Sequence, residues 1–335
     1  MGWDLPLVLG LIIAFGVAMY VILDGFDLGV GILFLFAPHD ADRDLMMNSL
    51  APIWDGNETW LVLGGTLLIG AFPVAYATVL PALYVPIVVM LFALIFRGIA
   101  FEFRFRAFKR RRLWDVAFSG GSTLAAFCQG LSLGAFIDGF TVRNGAFAGH
   151  TFDFLSSFAV VCGFGLVAGY SLLGATWVLH KTPDATSEFG RRCVRPTLAL
   201  TLIFIAVVSV WTPVAHAYIS ARWFSFPNIV ILWPVPVVTA LLGYAIWRSS
   251  LRHDVRPFVL SIALFLLAYL GLGISLWPYA VPYTITLWQA ASSRPTLVFL
   301  AVGVGVILPF ILAYLAYAHW VFRGKTMPGT GYGEH

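Results

Sequence analysis

Residues 7–36 read LVLGLIIAFGVAMYVILDGFDLGVGILFLF. Only two of these residues, Asp24 and Asp27, are charged. As a helix rising ~1.5 Å per residue the run exceeds the ~20 residues that cross bilayer hydrocarbon. It is therefore read as a transmembrane helix, and with glycines at 25, 29 and 31 it is expected to tilt, kink or protrude. The pattern recurs along the whole chain. Of 335 residues, 60% are hydrophobic and 11% charged, with a mean hydropathy of +0.89. A water-soluble domain could not solvate that surface, so the bilayer is the solvent. The formal charge of +4 does not signal nucleic acid, because the basic residues sit in short loops between apolar runs rather than on one surface. Met1 to Leu11 carry one acid and no Lys or Arg, and no small-residue cleavage site follows, so the first run reads as a retained helix. Cys128, Cys162 and Cys193 are an odd number, the first two within apolar runs, and imply neither a disulfide framework nor a zinc site.

By the same length criterion the chain is an all-α polytopic membrane protein of about nine transmembrane helices, near 7–36, 50–71, 77–100, 115–141, 153–180, 196–219, 227–247, 257–278 and 295–322. Nine spans put the odd-numbered loops and the C-terminus on one side. That side collects 17 of the 20 Lys and Arg residues, leaving only Arg143, Arg222 and Arg294 opposite. By the positive-inside rule the N-terminus is then periplasmic and the C-terminus cytoplasmic, in a bacterial inner membrane. Eight spans would scramble the separation.

A faint echo relates Gly25-Phe-Asp-Leu-Gly-Val-Gly31 to Gly163-Phe-Gly-Leu-Val-Ala-Gly169, an offset of 138 residues. It suggests a first four-helix bundle with the acidic residues (1–150), a second four-helix bundle (151–290), and a peripheral ninth helix with a cytoplasmic tail (291–335).

Ionisable groups inside a membrane are expensive and hence functional candidates. The last five spans have none between their ends, whereas the first three carry Asp24, Asp27, Asp55, Glu58, Arg97 and Glu102. Asp24 and Asp27 lie one turn apart in the inner half of the first span. Asp55 and Glu58, again at i and i+3, open the second beside Asn57 and between Trp54 and Trp60, and Arg97 and Glu102 end the third. All six groups are expected to converge near the cytoplasmic face. One reading is a structural polar knot, with the acids favoured by a helix N-terminus and Arg97 paired to one of them. The other is a proton entry funnel to a buried centre.

Missing features narrow the function further. Heme needs an axial ligand within the membrane. Yet His180, His216 and His319 lie toward span ends, His39, His150, His253 and His335 in loops or tail, and Met19 and Met90 read as core packing. No heme pocket, phosphate loop, dinucleotide fingerprint or zinc motif is found in this chain.

The segments Asp24-Gly-Phe-Asp-Leu-Gly-Val-Gly31, Trp54-Asp-Gly-Asn-Glu-Thr-Trp-Leu61, Phe96-Arg-Gly98 and Phe101-Glu-Phe-Arg104 resemble the signatures of subunit II of cytochrome bd-type quinol oxidases. Trp277-Pro-Tyr-Ala-Val-Pro282, Thr286-Leu-Trp-Gln-Ala-Ala-Ser292 and the stretch from Leu308-Pro to Val321-Phe-Arg-Gly-Lys325 are similar to that family's C-terminal half, so the likeness covers nearly the whole chain. The resemblance implies nine helices and an accessory role beside a larger subunit that carries hemes b and d and performs quinol oxidation and oxygen reduction. It further implies small single-helix subunits and lipids as companions, and a quinone held as a structural lipid. Asp24, Asp55, Arg97 and Glu102 match positions proposed to line or support a proton path at the subunit interface. Glu58, where many relatives have Gln, is similar to the cyanide-insensitive branch. The rival class is a cation-coupled secondary transporter, disfavoured because the acids sit toward one face and the faint repeat keeps one orientation.

Overall fold

The computed structural model describes residues 3–107, 109–143, 145–252 and 254–327. His253, His335 and the end of the expected tail lie outside the described residues. Fourteen helices and two small hairpins occur among them. Apolar composition makes the long helices, and prolines and polar caps set their ends. Helix α1 (Leu5–Leu33) starts at Asp4, whose carboxylate accepts the Leu7 N–H at 3.2 Å. It runs as one helix past its glycines before ending in a single 3₁₀ turn at Phe34–Phe36. Helix α2 (Asp40–Asn48) is short and polar and was not expected as a separate element. Helices α3 (Trp54–Ala71), α4 (Pro73–Ala82) and α5 (Tyr84–Arg104) follow almost without loops. Pro73 opens α4, and Pro86 lies in the first turn of α5, where a missing N–H costs nothing. The expected span 77–100 is accordingly divided between α4 and α5.

Helix α6 (Arg111–Asp138) leads into the hairpin β1 (Val142–Arg143) and β2 (Ala146–Phe147). Ser156 caps α7 (Ser157–Lys181), accepting the Ala159 N–H at 2.9 Å. Helix α8 (Asp184–Ala215) begins well before the expected 196, so Arg191, Arg192 and Arg195 are helical rather than in a loop. Then come α9 (Ala217–Trp223), α10 (Asn228–Leu232), α11 (Pro234–Ser249) and α12 (Arg256–Leu276). A second hairpin, β3 (Tyr279–Val281) and β4 (Ile285–Thr286), precedes α13 (Leu287–Ala290) and α14 (Arg294–Val321).

Among the described residues, eight helices are long and apolar enough to cross a membrane. The expected span 50–71 is not among them: it forms α3, 18 residues long with Asp55, Asn57 and Glu58 in its first turns. The helix ends gather at two opposite ends of the bundle. At one, the Trp288 indole donates to Asp4 at 3.0 Å, Ser292 N–H donates to the Ala71 carbonyl at 2.8 Å, and Tyr283 donates to the Ile137 carbonyl at 2.8 Å. Burial, with Asp138 nearby, pushes the Tyr283 phenol up to about 12, so its donor proton stays in place. At the other end, Lys181 donates to the Gly324 carbonyl at 2.9 Å, and Thr186 donates to Asp42 at 2.6 Å. The start of α1 and the end of α14 thus lie at opposite ends.

One large apolar core draws on α1, α3, α5, α6, α7, α8, α11 and α12. Its tightest crossing is between α1 and α7. A Cβ on Gly29 would lie 1.8 Å from the Tyr170 carbonyl oxygen, and one on Gly174 would lie 2.2 Å from the Gly29 carbonyl carbon. Only two glycines let these backbones touch. Gly29 and Gly174 are 145 residues apart, as are the ends of α5 and α11 (Arg104, Ser249) and the starts of α6 and α12 (Arg111, Arg256). These two boundaries and the glycine contact therefore repeat at 145 residues, two turns beyond the 138 of the glycine echo.

Candidate functional site

In a helix successive residues are about 100° apart around the axis, so residues three apart are separated by only about 60°. Asp24 and Asp27 therefore share one face of α1, and both are completely buried. Facing them from α5 is Arg97, 1% exposed. Its Nη1 donates to Asp24 Oδ1 at 3.0 Å and to Glu58 Oε1 of α3 at 2.8 Å, while Nη2 lies 3.8 Å from Asp27 Oδ2. Asn57, also fully buried, donates its amide to Asp27 Oδ2 at 2.8 Å. Asp24, Asp27, Glu58, Arg97 and Asn57 thus form one buried net across three helices. Three carboxylates face one guanidinium. Asp24 Oδ2 and Asp27 Oδ1 take no donor from the rest of this net.

The other expected members lie elsewhere. Asp55 is exposed on α3 and Glu102 is half-buried on α5, and neither forms an ion pair with a described residue. Around the axis Asp55 lies about 160° from Asn57, on the outer side of Glu58, and Glu102 lies about 140° from Arg97. Trp54 stacks on Phe101 at 5.1 Å. Trp60 is buried, edge-on to Phe15 at 5.7 Å, and its indole N–H has no partner among the described residues.

Two groups of residues escaped the sequence reading. Arg104, on the same face of α5 as Arg97 and with a side chain 0% exposed, donates to Asp115 Oδ1 of α6 and Asp44 Oδ1 of α2, both at 2.5 Å. Arg111 also donates to Asp44, and the Arg104 guanidinium lies 5.0 Å from the Phe34 ring centre. The seven-residue spacing of Arg97 and Arg104 was the available signal. The second group is Tyr20, Gln129 and Tyr170. Tyr170 donates to Gln129 Oε1 and Gln129 Nε2 donates to the Tyr20 oxygen, each at 2.8 Å. No spacing rule connects α1, α6 and α7 through these three.

His180 and His319 occupy last turns of α7 and α14, and His216, at the break between α8 and α9, lies 3.3 Å from Asp138. Among the described residues no group of three or more His, Cys, Asp or Glu could hold a metal ion.

The profile of cytochrome bd terminal oxidase subunit II matches residues 5–322. Cytochrome bd-I ubiquinol oxidase subunit 2 of Escherichia coli (strain K12) is 28% identical over 344 residues, covering 91% of each chain. Cytochrome bd ubiquinol oxidase subunit 2 of Bacillus subtilis (strain 168) is 26% identical over 316 residues, covering 91% of this chain and 92% of that one. A chain in the structure of bd oxidase from Geobacillus thermodenitrificans superposes with a TM-score of 0.73 at 17% identity, covering 96% of this chain and 99% of that one, a likeness of fold. With a family profile spanning nearly the whole of a multi-pass helical membrane protein, the chain belongs to the cytochrome bd terminal oxidase subunit II family.

Proposed function

We propose that this chain is the heme-free accessory subunit of a terminal quinol oxidase in the bacterial inner membrane. In this reading it buttresses a larger subunit bearing hemes b and d and carries part of a cytoplasmic proton-entry path for the reduction of oxygen to water. The observation that carries the proposal is the charge count of the buried net. Asp24, Asp27 and Glu58 share one cation, Arg97. A low-dielectric site does not hold two uncompensated negative charges, so the carboxylates must share protons with one another and with their surroundings. A purely structural ion pair would need one acid, not three.

Asp55 is the entry group in this reading: it is exposed one turn before Glu58, which is itself 30% exposed and bonded to Arg97. Its face, with half-buried Glu102 on α5, is the side that the heme-bearing subunit would cover, since lipid does not solvate carboxylates. Side chains of the second half contribute no carboxylate to the net, in keeping with two four-helix bundles of unequal chemistry and α14 at the periphery. The 17 to 3 division of Lys and Arg supports a periplasmic N-terminus and a cytoplasmic C-terminus, with α3 as the ninth span. A reporter fused after Lys325 should be cytoplasmic and one near Arg143 external; both on one side would overturn the topology.

Because Asp55 stands outside the ion-pair net, replacing it cannot unbalance Arg97, which makes it a clean probe. Asp55→Asn keeps size and most hydrogen bonds but removes the titratable proton. The complex should assemble with normal heme content yet oxidise quinol slowly, with partial rescue by Asp55→Glu. Full activity removes Asp55 from the path. A cation-coupled transporter is the competing class, and purification separates them: a heme-containing partner and quinol-driven oxygen uptake support the oxidase, whereas a colourless solitary protein defeats it.

A further inference from the structure

Gly25 leaves a notch in α1 that Tyr170 of α7 fills; a Cβ there would lie 2.7 Å from the Tyr170 ring. Tyr170, completely buried and stacked on Phe265 at 5.9 Å, has Gln129 Oε1 as its hydrogen-bond acceptor at 2.8 Å. Gln129 Nε2 then donates to the Tyr20 oxygen at 2.8 Å, and Tyr20 is 6% exposed. The direction of this chain follows from donor and acceptor chemistry. An amide oxygen only accepts and an amide nitrogen only donates. Turning the amide over would take the Gln129 acceptor away from the Tyr170 hydroxyl proton in a fully buried place, a loss that folded proteins avoid. In the satisfied orientation one proton is left over, that of the Tyr20 hydroxyl. One turn ahead on the same helix stands Asp24, whose buried Oδ2 has no donor from the rest of the net, and the Tyr20 hydroxyl is the donor that bears on it.

We propose that Tyr20, Gln129 and Tyr170 are positioning residues that hold a single hydroxyl proton against Asp24, making Asp24, rather than Asp27, the carboxylate of the net whose proton exchange the protein controls. Asp27 is fixed differently, by the Asn57 amide. The chain cannot itself be a conduit, since it ends at a phenol packed among Phe265 and the α1 backbone. It is a brace: α7 fixes α6, α6 fixes Tyr20, and Tyr20 orients the carboxylate that Arg97 holds by its other oxygen. The ionisable groups facing Asp24 are Tyr20 and Asp27 from α1, Glu58 from α3, Arg97 from α5 and Tyr170 from α7, with the uncharged Gln129 from α6 behind Tyr20.

The inference rests on the proton-path reading, and its test is arranged to separate the two. Tyr20→Phe and Tyr170→Phe keep both rings and delete one hydroxyl each. In the purified complex the infrared carboxyl band that disappears in Asp24→Asn is followed across pH, alongside heme content and quinol-driven oxygen uptake. Tyr20→Phe should leave heme content unchanged, alter the Asp24 band and move its titration midpoint to higher pH by about one unit, the size of one lost hydrogen bond to a carboxylate. The pH profile of turnover should move with it. Tyr170→Phe, which loosens the far end of the brace, should give a smaller shift in the same direction. Band and midpoint unmoved in both variants overturn the proposal, whether or not turnover falls, because packing alone would lower turnover and heme together. Absence of quinol oxidase activity in the unsubstituted complex would instead defeat the function reading, while the infrared midpoint still reports on the brace.

Discussion

Between the first and second halves of the chain the ends of α5 and α11 and the starts of α6 and α12 repeat at a spacing of 145 residues, but no residue of the buried net has a charged counterpart at that spacing. At that spacing Asp24 answers to Gly169, Asp27 to Leu172, Asn57 to Leu202, Glu58 to Ile203 and Arg97 to Leu242. Tyr20 and Gln129 answer to Gly165 and Ile274. The scaffold therefore does not require the polar net. Helices α7, α8, α11 and α12 pack without such a net among the described residues, and its presence between α1, α3 and α5 is an added cost.

The contrast can be broken or sharpened by substitution, starting with what the halves have in common. Gly29→Val should abolish the assembled complex. Its Cβ would meet Tyr170 and Gly174 backbone, so the cost exceeds the ~1–3 kcal/mol usual for overpacking; heme recovered per milligram of membrane protein is the measure. Next comes Leu172→Asp, which sets a carboxylate at a fully buried position with no guanidinium opposite. It should cost several kcal/mol and lower the thermal unfolding midpoint; a tolerated carboxylate there would mean that the second half retains a hidden counter-charge. Arg97→Leu should cost about 3–5 kcal/mol, since it strands Asp24, Asp27 and Glu58 together, and should be partly relieved at acid pH as those groups take up protons. Thermal unfolding at two pH values checks the sign. Smallest of all is Gly56→Ala on α3, where a Cβ meets nothing within 4 Å. It should change stability by no more than about 1 kcal/mol, in the stabilising direction.

Spans and the identity of the charged groups were legible because hydropathy and helical spacing are local properties. The pairing Asp24 with Asp27 on one face followed from their separation of three. Convergence of all six groups was not legible, because shared depth says nothing of rotation about each helix axis. Asp55 and Glu58 lie at i and i+3, but Asn57 turns inward and Asp55 falls nearly opposite it. Glu102 likewise follows Arg97 by five residues and leaves its face. Buried Arg104, by contrast, lies between two expected spans and Asp115 at the start of one, so the pairing of Arg104 with Asp115 and with Asp44 on α2 is not legible. The start of α8 was misjudged because its first turns are polar yet helical. Tyr20, Gln129 and Tyr170 carry no charge, and their connection exists only once α1, α6 and α7 are packed.

The Gly29–Gly174 contact also sets a timetable for making the protein. At synthesis rates of ~5–20 residues per second, the 145 residues between the two glycines take about 7–30 s to translate. Asp24 and Asp27 leave the ribosome well ahead of Arg97, so the leading helix must wait, with its acids unanswered, for the third span before its charge is met and for α7 before its backbone is gripped. The nascent chain is therefore most exposed to quality-control proteases in that interval, and slowing translation between residues 29 and 97 should lengthen it.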